Sequence, residues 1–141
     1  MTPRIPIKRT ATLILAPLLA SGVVACGSTV STSSFKGPSQ AVAKRIAEFQ
    51  SDVTAGEKNK LCNRDFASAV QARLRAAGGS CVEALKNQLG AIDDYELTVK
   101  SIAVHGTNAT ASVKTTWSGK QRLSTLLLVK EGGSWKIASL Q

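Results

Sequence analysis

The hydrophobic period of this chain changes once, at Tyr95. Before it, apolar residues recur at helical spacing of three or four positions; from it onward they alternate. Helices first and strands second predict an α+β domain, with the helices packed on one face of an antiparallel sheet.

The first helix is expected from about Ser39 to Thr54, after Gly37-Pro38. Val42, Ile46, Phe49 and Val53 form its apolar stripe, with Ala43 and Ala47 beside it and Lys44, Arg45, Glu48 and Asp52 opposite. Gly56 suits a left-handed cap. A short helical turn fits Lys58 to Cys62. Asp65 reads as the N-cap of the next helix, with Phe66, Val70 and Leu74 on one face and Gly78-Gly79 as its stop. Ser80 and Glu83 form a capping box for a further helix, whose apolar face is Cys81, Ala84, Leu85 and Leu89 and which Gly90 ends.

Tyr95, Leu97 and Val99 then alternate with polar residues. Ile102 and Val104 lie in the opposite phase, so a bulge is expected near Ser101. Ala109, Ala111, Val113, Thr115 and Trp117 point inward on the second strand. Leu123 to Val129 is apolar on both faces, which predicts a strand covered on both sides. Turns at His105–Asn108, Ser118–Lys120 and Glu131–Ser134 complete a four-stranded meander ending in Trp135–Leu140.

The N-terminus carries a different message. Arg4, Lys8 and Arg9 precede an apolar run, and Val23-Val24-Ala25-Cys26 reads as a bacterial lipobox. An uncleaved membrane helix would need about 20 apolar residues; this run is shorter and contains Pro17. An ordinary signal peptide would leave the thiol at the cut to chance. The lipobox places a lipid on Cys26, makes residues 1–25 a signal peptide and residues 26–38 a Ser-, Thr- and Gly-rich tether, and leaves 39–141 as the domain. It puts the protein on the extracytoplasmic side of the cell membrane.

Without residues 1–25, 15 basic residues stand against 9 acidic ones, a formal charge of +6. The charges are scattered, so simple solubility accounts for them. Outside the cell, such a surface meets anionic headgroups or wall polymers rather than nucleic acid. There are three cysteines. With Cys26 carrying lipid, Cys62 and Cys81 remain as a pair in an oxidising compartment, and a disulfide is expected. One histidine, His105, is too few for a metal site built with them, and no metal or other cofactor is expected.

The layout of amphipathic helix, Gly56-Glu57 with Cys62, Ser80-Cys81-Val82-Glu83-Ala84, and the ending Leu126-Leu127-Leu128-Val129-Lys130-Glu131-Gly132-Gly133-Ser134-Trp135-Lys136-Ile137 resembles small actinobacterial lipoproteins with a nuclear-transport-factor-2-like (NTF2-like) domain, the cone shared by SnoaL-like proteins. The likeness covers Ser39 to Gln141. It implies a curved sheet closed by helices. Many members have an extra strand between the helices. No alternating run precedes Tyr95 here, so a less closed cone is expected.

That family includes isomerases, hydrolases and members without known activity, so the fold does not choose among them. Asp93 and Asp94 read as a solvated turn. His105 in a hairpin tip has no orienting partner, and Asn108-Ala109-Thr110 is a glycosylation pattern without weight in a bacterium. No catalytic residue is assigned. Phe49, Tyr95, Val113, Trp117 and Trp135 are the candidate lining of an apolar pocket between the first helix and the sheet, or else core. Three readings stay open. One is a non-enzymatic lipoprotein domain holding a small apolar ligand or docking an envelope protein. Another is a SnoaL-like enzyme on a small apolar substrate, which a buried carboxylate in the pocket would favour. The last is a structural module.

Overall fold

The computed structural model describes residues 30–89 and 94–141. Cys26, the lipobox, Gly90 and Asp93 lie outside the described residues. Helix α1 spans Pro38–Thr54, α2 Lys58–Lys60, a π-helical turn Leu61–Asp65, α3 Ser68–Gly78 and α4 Cys81–Leu89. Strands β1 Glu96–His105, β2 Asn108–Trp117, β3 Lys120–Glu131 and β4 Ser134–Leu140 follow. They form one antiparallel sheet in the order β1-β2-β3-β4.

Pro38 opens α1 with a preset φ and no orphaned N–H. Its stripe of Val42, Ile46, Phe49 and Val53 is buried, and Gly56 leaves the helix at φ 65°. The opposing core is Leu97, Val113, Leu126, Leu128 and Ile137, each almost completely buried. Val30 is buried in the same core although it falls in the segment expected to be a tether. Asp52 is also buried, against its place on the polar side of the stripe, because Arg64 folds over it as an ion-pair partner.

The register between β1 and β2 shifts between Val99 and Ser101. The extra residue brings Ile102 and Val104 onto the same face as Leu97 and Val99, opposite Ala111 and Ala109. A second irregularity, between Leu127 and Leu128, lets β4 bend where Ala138 is left over. Such bulges sharpen the twist of a sheet and curve it.

Asp65 is not a helix cap. Phe66 leaves the π-helical turn in extended conformation and makes one parallel bridge to Ile137, and Ala67 N–H donates to the Ile137 carbonyl at 2.8 Å. Helix α3 therefore starts later, at Ser68, and no side chain of its own caps it. Glu131 of β3 does this from across the fold: its carboxylate accepts the Ser68 N–H at 3.1 Å and the Ser68 hydroxyl at 2.9 Å. A carboxylate suits the positive end of a helix. The turn into α4 is close because residue 78 is glycine; a Cβ there would lie 2.9 Å from Ala84 Cβ. Ser80 Oγ accepts the Glu83 N–H at 3.1 Å, one half of the expected box.

Strand β3 is interior to the sheet, but only one of its faces is covered. Leu126 and Leu128 are buried, whereas Leu123 is 77% exposed. The second apolar face of β3 thus meets solvent at Leu123.

Candidate functional site

The β2–β3 turn consists of Ser118 and Gly119, both at positive φ (49° and 71°). Two-residue hairpins take this form because its twist matches that of the strands. Asp94 pins the turn. Its carboxylate accepts the Ser118 N–H at 2.9 Å and the Gly119 N–H at 3.2 Å. The acid read as a solvated turn residue is thus the clamp that fixes the rim of a cavity.

That cavity occupies about 460 Å³ at the open end of the sheet. Tyr95, Trp117 and Leu140 give it an apolar wall, Thr115, Ser118 and Ser124 contribute hydroxyls, and Lys120 and Arg122 stand on the β3 side. Such a mixture in a pocket of this volume is usual for small-molecule sites. Burial pushes the Tyr95 phenol up to about 12, so it stays protonated and can donate. Among the described residues no Asp or Glu side chain lines the cavity.

The candidate lining is divided by the structure. Tyr95 and Trp117 line the cavity. Phe49 and Val113 belong to the packed core, with Phe49 tilted on Phe66 at 5.9 Å between ring centroids. Trp135 is buried at the far end, beneath Lys130, whose Nζ lies 6.0 Å from its ring. It borders a shallower depression of about 210 Å³ shared with Lys44 and Glu48. The space between α1 and the sheet is therefore filled, and the cavity lies beyond it. Trp117 corrects the inward expectation. It keeps the parity of Thr115 but is 51% exposed, because it is the last residue of β2 and projects past the helix-covered core.

Sequence reasoning missed Arg122, Lys120 and Leu140. The signal was present for Arg122: it shares the parity of Leu126 and Leu128, so a cation stands on the concave face. His105 is exposed at the end of β1, away from the cavity.

A second cluster of ionisable groups is buried on the helical side. Arg45 Nη1 donates to Asp65 Oδ1 at 2.9 Å and pairs with Glu48, Arg64 Nε donates to the same Asp65 oxygen at 3.2 Å, and Arg64 Nη2 reaches Asp52. Asp65 Oδ2 has no hydrogen-bond donor among the described residues. Loss of hydration pushes the Asp65 carboxyl up to about 6, the neighbouring Asp52 carboxyl adds to the rise, and Arg64 opposes it. A proton on Asp65 removes the charge that burial penalises, which accounts for the rise. Because the folded value lies above the usual 3.8, the favourable contribution is complete below that pH and is lost as pH rises through about 6. Between these values the wild type should lose stability relative to Asp65→Asn, which does not titrate. Urea midpoints of the two proteins across this range check it, and parallel profiles would reject the proton on Asp65. None of these residues lines the cavity, and among the described residues no group of His, Cys, Asp and Glu is placed to hold a metal ion.

Comparison with known proteins agrees with this architecture. Residues 81–140, which hold α4 and the whole sheet, match the family described as "Putative lumazine-binding". A solved NTF-2-like protein of unknown function from Silicibacter pomeroyi is 20% identical and superposes with a TM-score of 0.52, over 71% of this chain and 89% of that one. A further solved structure with NTF2 in its name is 16% identical over 73% of this chain and 97% of that one, with a TM-score of 0.48. No curated protein matches the sequence. The fold is that of NTF2-like domains.

Proposed function

We propose that this NTF2-like domain is the small-molecule-binding part of a membrane-anchored envelope lipoprotein, with the ligand seated against Tyr95 and Trp117. The cavity of about 460 Å³ at the open end of the cone carries the proposal. The family description that matches residues 81–140 names a flat heterocycle, lumazine, and a flat ring suits the exposed indole of Trp117. The lipobox at Cys26 supports the anchored location, and the lipid would hold the domain at the outer surface of the membrane. The described wall, with hydroxyls, cations and an exposed indole and no Asp or Glu side chain, favours binding over proton abstraction.

The test uses the full chain expressed in a bacterium and recovered from membranes. Cys26→Ala should move the protein to the soluble fraction and abolish incorporation of an acyl label. Native mass spectrometry of the wild type should show a retained small molecule, and lumazine added to the purified protein should quench Trp117 fluorescence. Trp117→Phe should remove that quenching. Unchanged membrane retention of Cys26→Ala would reject the anchor. A bare mass together with no response to lumazine would reject the binding role.

A further inference from the structure

We infer that the cavity selects an amphipathic anion: an aromatic or apolar body that lies on Trp117 and Leu140, ending in a carboxylate, phosphate or sulfonate that meets Lys120 and Arg122. This rests on the cavity being a binding site, and it adds the charge of the ligand. Lys120 and Arg122 are two residues apart on β3, so they project from the same face of the strand. Register places Lys120 opposite Trp117 and Arg122 opposite Thr115, which sets both cations directly beside the aromatic and hydroxyl wall.

Among the described residues neither cation has an ion-pair partner. The ion pairs among the described residues are formed by Arg45, Lys60, Arg64 and Lys86. Asp94, beside the turn that closes the rim, is already committed to two backbone N–H groups of that turn. Cations on the outer surface of a basic protein keep their water and need no explanation. These two differ because they border a concave wall with Trp117 51% and Leu140 47% exposed. An anion there would gain charge-assisted bonds from the guanidinium, with its planar fork of donors, and from the ammonium. Its apolar end would cover surface that otherwise faces water.

The experiment compares two dyes of one aromatic framework, anionic anilinonaphthalene sulfonate and neutral phenylnaphthylamine, by fluorescence titration of the folded full chain. The anion should bind at least about 10-fold more tightly, and raised salt should narrow the gap. Arg122→Gln and Lys120→Gln should each weaken the anion about 5- to 10-fold and leave the neutral dye unchanged. Lys114→Gln, which removes the same charge from the outer face of β2, should change neither. Arg122→Lys should restore part of the affinity. Circular dichroism and melting of each variant show that it is folded. Competition then separates the two sources of such an anion. Displacement by soluble naphthoate points to a free acid, and displacement only by phosphatidylglycerol vesicles points to a lipid headgroup. Either result supports the anion. Equal binding of the two dyes, with both abolished by Trp117→Ala, would overturn charge selection while leaving a binding cavity. Binding of neither dye, or binding that Trp117→Ala does not alter, would remove the cavity's binding role and the inference with it.

Discussion

Ile46→Ala is expected to destabilise the domain by about 2–5 kcal/mol while leaving the cavity at the far end of the sheet able to bind. Ile46 is fully buried on the sheet-facing stripe of α1. The substitution loses the transfer free energy of the removed carbons and opens a void that the surrounding side chains close only in part. Rigid neighbours such as Leu97, Val113 and Leu126 limit that relaxation, since each is itself fully buried. A small domain has about 5–15 kcal/mol of stability to lose, so the urea midpoint should fall markedly. Ile46→Val should cost only about 0.5–1.5 kcal/mol. Dye titration below the melting transition should be unaltered, because no residue of α1 lines the larger cavity. A loss of binding in the folded Ile46→Ala protein would show that the site reaches between helix and sheet after all. A loss of stability below about 1 kcal/mol would show that the core there is not close-packed.

Those expectations depend on a division between core and cavity that was only half legible in the sequence. Periodicity identified which face of each element turns inward. It placed the α1 stripe, the meander and the bulge near Ser101, because each is a local pattern in which one residue of slip exposes an apolar side chain. Parity does not say how far along a strand the helices reach. Trp117 therefore has the inward parity and yet stands in the open end of the cone. The same limit explains β3, where an apolar outer face at Leu123, Leu127 and Val129 was read as covered although Leu123 is exposed. Asp65 failed for another reason. Its cap signal is local, but the chain beyond it is captured by Ile137, and the start of α3 is satisfied by Glu131, 63 positions away. A distant partner leaves no trace in the pattern around Asp65. The cation on the concave face was legible as Arg122 in phase with Leu126, and was passed over because a single charged residue near a strand end usually means only exposure.

Breaking the disulfide should lower stability by about 3 kcal/mol and leave binding below the melting transition intact. Cys62 in the π-helical turn is bonded to Cys81 at the start of α4, with their α-carbons 6.0 Å apart and the two residues 19 positions apart in sequence. The bond restricts the unfolded chain, and a loop of this length corresponds to about that loss of entropy in free-energy terms. The folded structure explains why the α3–α4 hairpin depends on it. No residue of α3 is buried. Apart from the bridge, the hairpin is held by the buried Ala84 and Leu85 of α4, by Leu74, Val82 and Leu89 packed at the edge of the core, by the Glu131 cap, by Ala67 on Ile137 and by a long hydrogen bond of 3.4 Å from Arg73 to the Ala138 carbonyl. Freed from Cys62, this hairpin should open before the sheet does. The melting temperature should fall by roughly 12–24 °C, at about 4–8 °C per kcal/mol for a domain of this size. Hydrogen exchange should rise first in α3 and α4. The double variant Cys62→Ala/Cys81→Ala reproduces the reduced state without reductant. The cavity is walled by strands and turn, so its dye affinity should persist in that variant at low temperature. Thiol titration of the unreduced, denatured chain should find Cys62 and Cys81 unreactive. Two reactive thiols at these positions, or a double variant that melts with the wild type, would show that packing alone holds the hairpin.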